Sequence, residues 1–312
     1  MGIYTLGPIL GPVVGPIAGG FIAERTTWRW VFWSSSAAAG VIQLIGLFWL
    51  RESHPTTLLK RRRDCLAKET GNTKLHTGED GALARNLGTA LIRPLRMFTT
   101  RLIITVIALY MAYLFGTTYL MIATFPSVWV DRYGESKGIG GLNYLSIAIG
   151  SFTGLVLNFF LIDRIYRALK TKNNGIGRPE FRMPTLLIGS ILIIIGLFWY
   201  GWAIHGRVHW IMPNIGAAIF AAGTMGCLQG MQTYTVDSYP TYAASAMAAC
   251  ALLRSLAGFA FPLFAPYLYR DPGFGWGTSV LAFVSVGAGL PAPFVFWWFG
   301  GRLRALSKYA AG

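Results

Sequence analysis

Charge of either sign is what this sequence has least of. Only 12% of its 312 residues are Asp, Glu, Lys or Arg, while 54% are hydrophobic; a soluble domain carries about 25% charge. An ordinary soluble domain of this length is therefore not expected. Acids are scarcest, 12 against 27 basic residues, and none falls in the middle of an apolar run. The three cysteines, Cys65, Cys227 and Cys250, lack the spacing of a zinc site or a disulfide framework. Cys227 and Cys250 read as packing residues, Cys65 as a loop thiol. No Gly-x-x-x-x-Gly-Lys-Ser/Thr loop is present, so the chain carries no ATP motor of its own. His205 and His209 have i, i+4 spacing, but they sit in a short connection without carboxylate or cysteine ligands beside them. No metal site, cofactor or catalytic cluster is expected, and the chain does not read as an enzyme.

What the sequence does have is long apolar blocks. Several charge-free runs of about 20 residues are long enough, at ~1.5 Å per helical residue, to cross a hydrocarbon layer of ~30 Å. A backbone in lipid must satisfy its own hydrogen bonds, which requires helices here, since the shorter alternating segments of a barrel are absent. The expected fold is an all-α polytopic membrane protein. Its spans lie near Met1–Ala23, Val31–Leu50, Ile103–Phe125, Ile139–Ile162, Pro184–Ile204, Trp210–Thr233, Ala244–Pro266 and Gly277–Phe299, about eight in all.

The connections then alternate between two sides. Twenty Lys and Arg fall on the side holding Arg51–Leu102, Asp163–Met183, Tyr234–Ala243 and the tail from Gly300, against six on the other. This bias places the first side, and the C-terminus, in the cytoplasm. It also accounts for the net charge of +15 without nucleic acid, because the basic residues form no reading module. Arg51–Leu102 is the only long polar stretch and reads as a flexible hinge loop, with the run Lys60–Arg63 and the polar patch Thr70–Gly81. Lys60–Arg63 serves either as a topology signal or as a contact to anionic headgroups. Met1 opens directly into an apolar run without a basic n-region or a small-residue cleavage pattern, so no removed signal peptide is expected. Residues 1–50 read as two spans, 51–102 as the basic loop and 103–312 as six spans with a short tail. Many secondary transporters are built as two matched six-span halves, and two plus six is that plan with about four spans missing.

The first run holds a ladder in which Gly7, Gly11, Gly15 and Gly19 recur every four residues, with Gly20 beside the last. Such a ridge lets helix backbones approach closely. Pro12 and Pro16 each remove a helical hydrogen bond, at roughly 3 kcal/mol in an ordinary helix, so a close partner must compensate. Two roles stay open: a fixed helix–helix interface, or a bent helix at a gate.

Gly11-x-x-x-Gly15-Pro16-x-x-Gly19-Gly20 resembles the antiporter motif in the fifth helix of major-facilitator exporters. Glu24-Arg25, then Trp28-Arg29-Trp30 and Phe32-Trp33, resemble the short external turn beyond that helix. Further along, Phe115-Gly116…Tyr119, Gly141-Leu-Asn-Tyr144, Asp163-Arg164 with its basic loop, Tyr234–Pro240 containing Asp237, and Arg254-Ser255 with Gly258 and Pro262-Leu-Phe264 are similar, in order, to the fungal 12-spanner drug:proton antiporter family. The tail Gly301-Arg-Leu-Arg304…Ser307-Lys308 matches as well. The resemblance covers nearly the whole chain. It implies a major-facilitator helical bundle with about eight of twelve spans present, an exporter of drugs, polyamines or metabolites, and protons as the coupling ion. It makes the first span the family's fifth.

Other residues stand out on physical grounds. Arg254 lies roughly 15 Å into its span, where a charge costs at least ~2.5 kcal/mol and turns inward or to a water-filled cavity. Asp237 is its nearest candidate partner in sequence, which makes Asp237 and Arg254 a candidate gating or charge pair. Tyr110, Tyr113 and Thr117 share one helix face. With Asn143, Tyr144, Asn158, Gln229 and Gln232 they are polar groups that need partners in lipid. They serve either as interhelical ties or as the lining of a cavity for a small-molecule substrate. Asp163 and Arg164 mark a cytoplasmic-loop motif. Three readings of the function remain: efflux, nutrient import by the same fold, and a truncated chain that does not transport. The plasma membrane is the expected location, the vacuolar membrane the second choice.

Overall fold

The computed structural model describes residues 2–49, 55–72, 75, 83–270 and 273–305. Ser307 and Lys308 of the tail motif and most of the Thr70–Gly81 patch lie outside them. The regular elements among the described residues are all helical. Seven helical stretches are long and apolar enough to cross a membrane by length and composition: residues 28–49, 102–132, 137–172, 179–205, 211–238, 243–270 and 273–305. The Gly-Pro-rich α1 (Gly2–Arg25) is a further helix of 24 residues.

The chain divides into two compact units, one running from Thr27 to Arg93, the other joining Met1–Thr26 to Pro94–Gly312. The first contains α2 (Trp28–Trp49), α3 (Pro55–Thr70) and the start of α4 (Leu83–Thr100). Much of the stretch read as a flexible hinge is therefore helical. The physical reason is composition: Pro55 suits a first turn, and Leu, Lys, Arg, Ala and Glu dominate the rest of α3. Gly71, at φ +66°, stands just past the end of α3. The Lys60–Arg63 run sits on α3, with Arg63 2.8 Å from its neighbour Asp64. No residue of α2 is buried, and Trp30, Phe32, Leu47 and Phe48 are all exposed, a surface suited to lipid contact.

In the larger unit, α5 (Leu102–Ser127) runs into a π-helical turn at Val128–Arg132, then the short α6 (Lys137–Leu142) and the long α7 (Tyr144–Lys172). A 3-10 turn at Pro179–Arg182 leads into α8 (Met183–His205), then α9 (Ile211–Ser238), α10 (Ala243–Arg270) and α11 (Gly273–Val284). A second π-helical turn at Ser285–Gly289 joins α11 to α12 (Pro291–Ala305). The main pairings are α8 with α9, α5 with α10, α7 with α9, α11 with α8, and α1 with α6 and α7. Small residues set the α7–α9 approach: Gly150 and Gly154 rest directly on the backbone of Ala218 and Ala222. The core is rich in rings. Phe125 stacks on Tyr200 with centroids 6.1 Å apart and meets Tyr144 edge-on at 4.7 Å.

The α1 ladder makes its close contact at one end. A Cβ on Gly20 would stand 2.6 Å from the Lys137 carbonyl oxygen, and one on Gly141 would stand 2.9 Å from that of Pro16. Gly11 and Gly15 have open space within 4 Å among the described residues.

Candidate functional site

Helices α5 and α10 build a cationic and aromatic patch midway along the bundle. Gly116 brings α5 against the Phe261 ring of α10, and Gly258 of α10 makes room for the rings of Phe115 and Tyr119. These two rings lie 4.9 Å apart, with Tyr119 exposed. Arg254 is half-buried, with its guanidinium carbon 4.6 Å from the Phe115 centroid. A partly desolvated cation over a ring gains about 1–2 kcal/mol, which offsets part of the cost of a charge at this depth. Its Nε is enclosed and has no hydrogen-bond partner among the described residues.

The expected pairing of Arg254 with Asp237 is replaced by another. Asp237 accepts from Arg182 Nε at 2.7 Å. Asp237 lies at the end of α9 and Arg182 just before α8, so these neighbouring helices bring together residues 55 positions apart. Arg254 is left to the aromatic ring. A second ion pair at this end was not anticipated: Arg304 donates from Nε and Nη2 to the two oxygens of Glu180 at 3.0 and 3.2 Å. Its signal was Glu180, one of two acids in a strongly basic connection, next to a proline.

The tyrosines read as candidate cavity lining are turned into the core of the larger unit. Tyr110 OH lies 3.2 Å from Ser190 Oγ, and Ser190 donates to the Gly289 carbonyl at 3.3 Å. Tyr113 OH is hydrogen-bonded to Ser285 Oγ. Thr117 is buried and donates back to the Tyr113 carbonyl at 2.9 Å. These bonds tie α5 and α8 to the second π turn. Asn143 and Tyr144 are buried too: Tyr144 OH donates to Ile122 O at 2.9 Å, and Asn143 links Glu135 at 2.6 Å to Asn214 at 2.7 Å. Gln229 and Gln232 are half-buried on α9, and Asp163 and Arg164 are exposed on α7. The tying residues Ser190, Ser285, Glu135 and Asn214 were missed by sequence reasoning, since a lone serine or asparagine in an apolar run does not reveal its partner.

At the far end of α1, Glu24 reaches the start of α6. Its Oε2 accepts from the Gly138 amide at 2.7 Å and from Ser136 Oγ at 3.1 Å. A carboxylate here satisfies an otherwise unpaired helix N–H. Glu24→Ala should cost about 1 kcal/mol, in line with a lost cap, read as a lower thermal midpoint of the purified protein; an unchanged midpoint would show the bonds to be idle.

Long apolar helices packed through small residues, with interhelical hydrogen bonds such as Tyr110–Ser190 and Asn143–Asn214 inside the bundle, define a polytopic integral membrane protein. The chain belongs to the Major Facilitator Superfamily, whose family model matches residues 1–262. It is 68% identical over 313 residues to "Efflux pump vrtL" of Penicillium aethiopicum, covering 100% of this chain and 62% of that protein. It is 41% identical over 314 residues to "Efflux pump radE" of Floropilus chiversii, covering 99% and 58%, and 40% identical over 311 residues to "MFS transporter cpaT" of Aspergillus oryzae, covering 99% and 62%. The chain thus spans about three fifths of the length of these relatives.

Proposed function

We propose that the protein is a secondary active transporter that exports small organic molecules, such as drugs, polyamines or metabolites, in exchange for protons. The observation that carries this reading is the 68% identity to a protein named an efflux pump. The close seating of the Gly-Pro helix α1 on Gly141 of α6 supports it, because antiport-type exporters resemble this chain there. In this reading residues 1–50 close one half of the transporter, 51–102 form the central cytoplasmic stretch, and 103–312 form the second half with a cytoplasmic tail. Its place is the plasma membrane. Arg254, Phe115 and Tyr119, with Gln229 and Gln232, face the path of the substrate.

The test is expression of the full-length version in a yeast lacking its own pumps, with retention of a panel of fluorescent drugs measured. Faster loss of at least one compound, abolished by a protonophore, is expected. Unchanged drug retention together with faster nutrient uptake would overturn export, and efflux insensitive to the protonophore would overturn proton coupling. Arg254→Leu should slow efflux roughly tenfold, the scale of a lost interaction of about 1–2 kcal/mol, at unchanged surface expression. Arg254→Lys keeps a cation over Phe115 and should retain most of the rate.

A further inference from the structure

We propose that the bundle end where α7, α9 and α12 finish holds a binding site for one anionic phospholipid, of the class whose headgroup is a phosphorylated inositol. The site lies away from the Arg254 patch and goes beyond the export reading, sharing with it only the placement of this end at the membrane surface.

A cavity of about 1080 Å³ opens there between the end of α7, the 3-10 turn at Pro179–Arg182, the end of α9 and the last turns of α12. Four arginines, Arg178, Arg182, Arg302 and Arg304, face it against two carboxylates, Glu180 and Asp237. The arginines divide into two sets. Arg304 is held on Glu180, and Arg182 on Asp237 with its guanidinium 5.0 Å from the Tyr166 centroid. Arg178 and Arg302 are exposed and have no carboxylate partner among the described residues. The fixed pairs form a rigid floor, and the two free guanidinium forks are the groups an incoming anion would meet. Guanidinium matches phosphate oxygens in a bidentate manner. The two carboxylates are each neutralised by a paired arginine, so the cavity keeps an excess of positive charge from Arg178 and Arg302. Its attraction grows with the charge of the ligand, which favours a headgroup with several phosphate charges over a singly charged one.

A second observation points to a lipid rather than a soluble phosphate. Trp298, exposed on α12, lines this cavity and also a neighbouring groove of about 400 Å³. The rest of that groove is Leu290, Pro291, Phe294, Val295 and Phe299, all apolar. Leu290 and Trp298 are eight positions apart, roughly 12 Å along a helix, which is most of one hydrocarbon leaflet of roughly 15 Å. A basic cavity thus continues into an apolar track down the outer face of α12, a shape that suits an amphiphile. Trp297 and Trp298 mark the level of the headgroups, where tryptophan is enriched, and basic pockets at cytoplasmic helix ends suit phosphoinositide headgroups.

The test uses the purified full chain in phosphatidylcholine nanodiscs, whose two faces are alike, so the result does not depend on orientation in the cell. Binding of dioctanoyl phosphatidylinositol phosphate is measured against dioctanoyl phosphatidylcholine and against free inositol bisphosphate. Preference for the phosphoinositide over both is expected. The double variant Arg178→Gln/Arg302→Gln should bind it roughly 30-fold more weakly, while Arg167→Gln/Lys172→Gln, which removes the same charge from exposed positions on α7 outside the cavity, should match the parent. Neither free arginine is part of a buried pair, so folding is retained, and a matching thermal midpoint checks this. Equal losses in the two double variants would reduce the site to general surface charge. Equal binding of free inositol bisphosphate would make it a soluble-anion site, and equal binding of phosphatidylcholine would remove the headgroup preference; each result overturns the proposal. Drug retention in yeast reports separately on export, so failure of one reading is distinguishable from failure of the other.

Discussion

Replacing Gly154 with leucine should leave little folded protein to purify. Gly150 and Gly154 sit one helical turn apart on α7, and α9 lies against them with no side chain between. A Cβ at Gly154 would come 2.7 Å from the Ala222 Cα and closer still to its carbonyl oxygen. Overpacking a dense core costs about 1–3 kcal/mol when side chains can yield. Here the obstacle is the backbone of the neighbouring helix, which can yield only by moving the whole helix. Each step outward also weakens the close contact that holds helices together in lipid, where no hydrophobic force drives them. Gly154→Ala should already lower the thermal midpoint clearly, and Gly154→Leu should abolish the monodisperse peak in detergent. The control is Gly226→Ala on α9, where nothing lies within 4 Å of an added Cβ among the described residues. It should be neutral or gain about 0.5–1 kcal/mol from helix propensity. If leucine at position 154 were tolerated while alanine at 226 was not, the α7–α9 interface would be wrong.

The second large effect is expected at Glu180. It is only 6% exposed, and both of its oxygens are taken by Arg304. Glu180→Ala leaves a guanidinium enclosed without its anion, a loss on the order of 3 kcal/mol for an enclosed pair. The same substitution unties the start of α8 from the end of α12, so accessibility to proteolysis should rise at both places. Arg304→Leu should cost less, since a carboxyl group can take up a proton whereas an arginine cannot lose one. The double variant should recover part of the loss of Glu180→Ala, because the stranded charge is gone. Strictly additive losses, measured as thermal midpoints in a double-mutant cycle, would mean that the two side chains do not interact.

How much of the architecture was legible depended on whether the information was local. The positions of the long apolar spans follow from run length and charge, which each segment carries within itself. Partner choice does not. Proximity in sequence matches Asp237 to Arg254, 17 positions away, whereas helix packing brings Arg182 to it across 55. The Gly-Pro ladder announced a close contact, but the contact falls at Gly20 and Pro16, where the neighbour Gly138-Ile-Gly140-Gly141 is mostly glycine and its Ile139 is exposed. Small residues on one helix help only where the opposite helix also has them. Tyr110 and Tyr113 could be read as interhelical ties or as cavity lining, because their shared face was visible and their partners were not; Ser190 and Ser285 lie 80 and 172 positions further on. In Arg51–Leu102, polarity hid helix propensity: α3 is charged on most sides, so no apolar stripe marked it.

The π-helical turn at Ser285–Gly289, closed by the Leu290 amide donating to the Ser285 carbonyl at 2.8 Å, works as a phase setter for the whole of α12. It holds one residue more than an α-helical turn of the same span. Were the same residues to wind as plain α-helix, the extra one would rotate every later side chain by about 100°; deleting one residue between Val286 and Gly289 would cancel that rotation. The loss of the π turn would be silent where it occurred, since Tyr113 could keep Ser285. Its effect would appear at the opposite end of the rod, where Arg304 would point away from Glu180 and Trp298 away from the groove it shares. In this helix the count of residues, as much as their identity, determines what the last two turns touch.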